Sequence, residues 1–169
     1  PKFLHPGPGF GGSCFPKDVK GMLKMSENLG YDFKIARAII EVNTFQKDLV
    51  LSKARAMLGG SFQDKIICLL GLAFKPNTDD IRESPALHVA SKLLAEKVGV
   101  QAYDPAAMDN TRRVLPDIAY FSNAYDAASG ADLIIILTEW NEFRDLSFSR
   151  LKEKMRSLNI FDTLNLYNP

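Results

Sequence analysis

The sequence predicts an α/β protein: a parallel sheet with helices on both faces, preceded by a helical segment that contains one long helix. Three observations carry this. From residue 64 onward, short apolar runs alternate with helical stretches, the order that a parallel sheet requires. Two of those runs, Lys65-Ile-Ile-Cys-Leu-Leu-Gly71 and Asp132-Leu-Ile-Ile-Ile-Leu-Thr138, are almost wholly apolar, as strands covered on both faces are. Upstream, Ile35, Ile39, Val42, Phe45 and Leu49 recur at three- and four-residue steps, the period of one helix face.

Taken in order, residues 5–14, His-Pro-Gly-Pro-Gly-Phe-Gly-Gly-Ser-Cys, hold four glycines and two prolines and read as a fixed, irregular loop. Pro16 suits the first turn of a helix, because its missing N–H is not needed there. That helix runs to Asn28, with Val19, Met22, Leu23 and Met25 inward and Gly30 as its stop. A second helix starts at Asp32 as N-cap, runs to Leu58, and ends at Gly59-Gly60. Its roughly 40 Å length carries a stripe that continues to Ala56 and that Ile40, Val50, Leu51 and Leu58 widen beyond one face. This is more apolar surface than a short flanking segment covers, so a homodimer through the 32–58 helix is expected. The sheet region then reads as helix at Ser84–Lys97, strand at Val98–Tyr103, helix at Asp109–Val114, strand at Ile118–Phe121, a helical stub at Tyr125–Ser129, helix at Ser147–Met155 and a last strand at Asn159–Asp162. The expected division is a helical part, 1–60, and a sheet domain, 61–169.

Composition narrows the function. The 169 residues hold 21 basic and 20 acidic groups, net +1. Residues 1–60 carry net +4 and residues 61–169 net −3, which suggests two parts with different roles. A near-neutral balance argues against a dedicated nucleic-acid binder. No run approaches the eighteen or so apolar residues of a membrane span. Two cysteines, Cys14 and Cys68, are too few for a disulfide framework, and a cytoplasmic setting is expected. His5, Cys14, Cys68 and His88 lack ligand-like pairing, so no metal site is expected. The chain opens Pro-Lys-Phe-Leu-His and enters the glycine-rich loop at once, which reads as a piece of a longer protein.

Two segments point to chemistry. Cys14 lies between the glycine-rich loop and a helix N-terminus. The helix dipole and Lys17 both favour the thiolate that a nucleophile needs. Asp18 stands one helical turn on, suited to positioning or deprotonating a water, and the glycines let backbone approach a bulky polar ligand. His5 can donate to a ligand from the same loop. Cys68, inside Ile-Ile-Cys-Leu-Leu, reads as inert core, and His88 as surface or packing. The second segment, Gly71-Leu-Ala-Phe-Lys-Pro-Asn-Thr-Asp-Asp-Ile-Arg-Glu-Ser84, follows the first strand, where open α/β sheets bind ligands. It brings Lys75 and Arg82, cations suited to phosphate oxygens. It is not G-x-G-x-x-G, so no standard dinucleotide fingerprint is present.

Gly9-Phe-Gly-Gly-Ser-Cys-Phe-Pro-Lys-Asp18 followed by Gly71-Leu-Ala-Phe-Lys-Pro-Asn-Thr-Asp-Asp-Ile-Arg-Glu-Ser-Pro85 resembles the UDP-glucose/GDP-mannose dehydrogenase family. Ala38-Ile-Ile-Glu-Val-Asn43, Tyr103-Asp-Pro105 and Thr138-Glu-Trp140 fit as well. The resemblance implies the end of a central helical dimerisation region and a Rossmann-like UDP-binding domain, with the NAD-binding domain upstream of this chain. It implies NAD-dependent oxidation of UDP-glucose to UDP-glucuronate through a Cys thiohemiacetal and thioester. By position, Cys14 matches the nucleophile and Asp18 the carboxylate that assists hydrolysis. Phe3, Leu4, His5, Pro6, Gly7 and Gly11 match nucleotide-sugar contacts, as do Phe74 and Lys75. Lys17 and Arg82 match contacts to NAD. One departure stands out: Asp162-Thr-Leu-Asn165 carries Leu164 where the family often has Arg. The rival substrate is GDP-mannose; dehydrogenases of N-acetylated hexosamine nucleotides tend to have His where Ser13 stands. The non-enzyme rival is a nucleotide-sugar-binding and dimerisation module, and the isolated fragment is expected to be inactive.

Overall fold

The computed structural model describes residues 5–168. Phe3 and Leu4, two of the expected sugar-nucleotide contacts, lie outside them. The elements in chain order are α1 (Cys14–Asn28), α2 (Lys34–Met57), β1 (Ile66–Leu70), α3 (Pro85–Ala95), β2 (Gly99–Tyr103), α4 (Met108–Val114), β3 (Ala119–Tyr120), α5 (Ala124–Ala127), β4 (Leu133–Ile136), α6 (Asn141–Arg144), α7 (Phe148–Lys154) and β5 (Ile160–Asp162).

The five strands form one sheet in the order β3-β2-β1-β4-β5, every pair parallel. Successive residues of a strand point to opposite faces, and the core divides accordingly. Ile67 and Leu69 of β1, with Leu133 and Ile135 of β4, pack beneath α2 and α3. Cys68, Leu70, Ile134 and Ile136 pack on the other face against α5, α6 and α7 through Ala127, Phe143 and Leu151. This is the doubly covered parallel sheet expected from the apolar runs, and it has the Rossmann-like form that the resemblance implies. Cys68 is fully buried and burial pushes its thiol pKa up, so it is inert core as expected.

Three expectations about the helices need correction. Helix α1 begins at Cys14, two residues before Pro16. Pro16 still sits within the first turn, where no N–H is required. Met22 and Met25 face solvent rather than the core. Asp32 does not cap α2: the N-cap is Phe33 with no side-chain cap bond, and Asp32 instead lies 3.6 Å from Arg37. Asp32 is one residue too early for its carboxylate to reach the first free amides of a helix that opens at Lys34.

Helix α2 divides its apolar stripe in two. Val50, Leu51 and Ala54 are buried against the sheet's own core, and Arg55–Glu96 and His88–Asp48 pair across to α3 at 2.8 and 2.7 Å. Through this half α2, which precedes the division expected at residue 60, covers one face of the sheet. The N-terminal half behaves differently: Ile35, Val42 and Phe45 are 70%, 64% and 64% exposed. No helix among the described residues is long and apolar enough to cross a membrane.

Candidate functional site

With β1 central and β2 and β4 on either side, the chain reverses its winding direction between β1 and β4. The crevice at their carboxyl ends is where such sheets take ligands. The 71–84 loop leaves β1 at this point, and the 137–140 segment leaves β4 beside it.

A buried carboxylate organises the crevice. Asp104, at the end of β2, is fully buried. Its Oδ2 accepts from the backbone N–H of Leu72 (2.7 Å), the N–H of Ala73 (3.1 Å) and the indole N–H of Trp140 (3.1 Å). Its Oδ1 accepts from the N–H groups of Ala106 and Ala107, both at 2.8 Å. Thr138 Oγ1 donates to the Ala73 carbonyl at 2.6 Å, and Ser84 Oγ to the Leu72 carbonyl at 2.7 Å. The first turn after β1 is thus locked on every side. Its amides hold an anion that the chain itself supplies, which agrees with the missing dinucleotide fingerprint. The Tyr103-Asp-Pro105 and Thr138-Glu-Trp140 segments are visible in sequence, but their joint role is not, because residues 104 and 140 meet only through the sheet.

That rigid turn holds the 71–84 loop against the glycine-rich loop. The Gly12 N–H donates to the Arg82 carbonyl at 2.7 Å. Gly12 has φ +87°, and a Cβ on it would stand 2.8 Å from the Phe74 ring, so only glycine serves there. Gly11 lies directly against the Glu83 carbonyl. From the other side Gln46 Nε2 donates to the Gly7 carbonyl at 3.1 Å. Lys47 Nζ donates to the Glu83 carbonyl at 3.2 Å, and burial pulls its pKa below the usual lysine value, with the Glu83 charge opposing. The Glu83 carboxylate itself takes Lys20 of α1 at 2.7 Å, which lowers its pKa.

The sequence-predicted residues fall as follows. Cys14 is exposed and is the first residue of α1; Asp18 is one turn along the same helix and also exposed. Lys17 lies 3.3 Å from Asp18. Arg82 is exposed but not free: its Nε and Nη2 bond the Asp80 carboxylate at 2.6–3.1 Å, leaving Nη1 outside the pair. This pairing holds Asp80 below the usual carboxylate range and Arg82 above its own ordinary value, with charge on Cys14 a smaller contributor to the latter. Phe74 is half-buried under Gly12, and Lys75 is exposed with Nζ 5.2 Å from the Phe74 ring centre. His5 and Pro6 are exposed. Gly7 lies beside Leu164, whose Cδ2 would be 3.4 Å from a Cβ on Gly7. The apolar departure at Leu164 therefore borders the loop whose positions match the sugar-nucleotide contacts. Among the described residues no group of three or more His, Cys, Asp or Glu could hold a metal ion.

Comparison with known proteins converges on one family. The UDP-binding-domain model of the UDP-glucose/GDP-mannose dehydrogenase family matches residues 68–169, and the central-domain model matches residues 1–45. The chain is 42% identical over 166 residues to a UDP-glucose 6-dehydrogenase of Rhizobium meliloti, covering 98% of this chain and 38% of that protein. It is 39% identical over 167 residues to one of Bacillus subtilis, again 98% of this chain and 38% of the relative. Among solved structures, a UDP-glucose dehydrogenase from Pyrobaculum islandicum superposes with TM-score 0.85 at 34% identity, covering 95% of this chain and 35% of that one. A UDP-D-ManNAc dehydrogenase from Pyrococcus horikoshii gives 0.78 at 30%, covering 96% and 37%. The chain thus spans little more than a third of the length of the relatives it matches. The glycine-rich loop locked on the 71–84 loop and the matching of both domain models place the chain in the UDP-glucose/GDP-mannose dehydrogenase family.

Proposed function

We propose that this chain is the nucleophile-bearing and UDP-binding portion of a cytoplasmic, NAD-dependent enzyme that oxidises UDP-glucose to UDP-glucuronate. One observation carries the reading: the glycine-rich loop is clamped on the post-β1 loop so that an exposed Cys14 opens α1 at the crevice. A thiol held in the open beside a site for a sugar nucleotide can capture an aldehyde formed at C6 and keep it bound between two oxidations. UDP-glucose is favoured over its rivals by the names of the relatives at 36–42% identity and by Ser13, where hexosamine-nucleotide enzymes tend to carry His.

In this reading Phe74, Lys75, Gly11 and the His5–Gly7 stretch bind the sugar nucleotide. Lys75 supplies a point charge to a phosphate oxygen. Leu164 provides packing against Gly7 where an arginine would add charge, so Lys75 carries more of the phosphate interaction. Asp18, one turn from Cys14, orients the water that hydrolyses the thioester. NAD, when bound, accepts hydride from the alcohol and then from the thiohemiacetal. Its fit here is peripheral, because the amides after β1 already hold Asp104; the exposed Lys17 and the free Nη1 edge of Arg82 are the groups that would touch it.

The test is turnover of the intact enzyme on UDP-glucose and on GDP-mannose, following NADH. Two NADH per UDP-glucose is the expected result. Preference for GDP-mannose would replace the substrate, and absence of NADH formation with either would leave the binding-module reading.

The same reading includes a homodimer. Burying Ile35, Val42 and Phe45 is worth about 1.5–3 kcal/mol each, ample for a symmetric contact repeated on both copies. Light scattering at about tens of micromolar protein is expected to report a dimer. Val42→Glu, which sets a carboxylate on the exposed stripe, is expected to shift it to monomer. A wild-type monomer would remove the dimer.

A further inference from the structure

We propose that Asn43 is a positioning residue for Cys14: its carboxamide serves as the missing strand partner for Phe10 and thereby fixes where α1 begins. The Phe10 N–H donates to Asn43 Oδ1 at 2.8 Å, and Asn43 Nδ2 donates to the Phe10 carbonyl at 3.1 Å. One side chain thus satisfies both polar groups of a residue that no helix or strand supports. The loop lies directly on α2 at this position. A Cβ on Gly9, which has φ +114°, would stand 2.8 Å from Asn43 Oδ1.

An asparagine in the middle of a 24-residue helix needs a reason. It is a poor helix former, because its side chain competes for backbone hydrogen bonds. Its neighbours Ile39 and Val42 line the exposed apolar groove of α2, so the carboxamide is also locally out of pattern. Such a breach of local preference marks a functional or strained site. Here it makes a half-buried two-point clamp four residues before Cys14. Beyond the clamp, Gly12 bonds the Arg82 carbonyl and the Phe10 ring meets the Phe15 ring edge-on at 4.6 Å. Phe10 is therefore gripped by α2 on one side and by the first turn of α1 on the other. The charged groups around Cys14 are Lys17 and Asp18 on α1, and Arg82 with its partner Asp80 on the post-β1 loop. Arg82 is close enough that charge on Cys14 acts on its guanidinium. Release of Phe10 would let the first turn fray and move Cys14 away from the helix amides and from Arg82.

This inference rests on Cys14 being the nucleophile of the proposed reaction, yet its test uses no turnover, so the two fail separately. Alkylation of Cys14 by iodoacetamide is followed by mass spectrometry on the 169-residue chain from about pH 6 to about pH 10, spanning the ordinary thiol pKa. The thiolate is the species alkylated, so Asn43→Ala is expected to slow the reaction about fivefold at neutral pH, with the deficit closing at alkaline pH. A role in folding alone would not produce that convergence. Buried Cys68 reports the fold, since it stays unreactive while the core is intact. Equal or faster alkylation of Cys14 with Cys68 protected would overturn the proposal. Should Asn43→Ala expose Cys68, Asn43→Asp, which keeps the acceptor for the Phe10 N–H, is read in the same way. Exposure of Cys68 in both variants would overturn it too, because Asn43 would then serve the fold rather than Cys14.

Discussion

On the proposed function, Cys14→Ser in the full-length protein is expected to stop release of the uronic acid, lowering steady-state turnover by at least about a thousandfold. The argument runs through the electron count. In the proposed reaction, oxidation of the C6 alcohol to the aldehyde would remove one hydride, which NAD would accept, and one proton. That step needs no nucleophile. The second oxidation requires a tetrahedral carbon that bears hydrogen. On the proposed role of Cys14, addition of its thiolate to the aldehyde would supply it, and departure of the second hydride would leave a thioester. Water then cleaves the carbon–sulfur bond and restores the thiol. A serine hydroxyl is far less acidic, and among the described residues the charges around residue 14 are paired, Lys17 with Asp18 and Arg82 with Asp80. The variant should therefore form at most one NADH per site and hold the aldehyde. Steady production of two NADH per UDP-glucose by Cys14→Ser would remove Cys14 from the chemistry. Cys68 is no substitute, being enclosed by the sheet and α5–α7.

Much of the fold was legible because parallel strands covered on both faces leave a plain mark. Ile66–Leu70 and Leu133–Ile136 are runs that neither loop nor amphipathic helix would tolerate. The ends of helices were less legible. Asp32 has the right chemistry for a cap, but Lys34 is the first helical residue, so the carboxylate found Arg37 instead. The four-residue α6 left no mark, since four residues hold too little periodicity. Lys47 is buried where a lysine is expected outside; only the Glu83 carbonyl, 36 residues away, explains it. The candidate site divides in the same way. Cys14 with its glycines announces itself within ten residues of chain. The side chains that hold the loops beside it, Asn43, Gln46 and Lys47, act across more than thirty residues, and no local pattern connects them. The pairing of Arg82 with Asp80 was also hidden, though the two are only two residues apart, because the geometry of the loop decides it.

The largest effect on stability is expected from Asp104→Ala. Five N–H groups, from Leu72, Ala73, Ala106, Ala107 and Trp140, converge on this one carboxylate. A hydrogen bond to a charged group is commonly worth about 1.5–3 kcal/mol, and such bonds within one network do not add. Truncation leaves buried donors without an acceptor and a cavity too small to rehydrate them all. A loss of about 3–5 kcal/mol is expected, which for a domain of this size lowers the Tm by about 10 °C or more. Asp104→Asn keeps one oxygen and turns the other acceptor into a donor that faces N–H groups, so it should recover little. The consequence reaches the ligand site. Leu72 and Ala73 are the residues immediately before Phe74 and Lys75, so their amides set the angle at which the post-β1 loop meets the glycine-rich loop. Binding of UDP should therefore weaken below the melting transition, where the rest of the sheet is still folded. Thermal unfolding and UDP titration of the same variant measure both effects. A Tm within a degree or two of wild type would show that the amides find other partners, and that Asp104 is not what holds the loop.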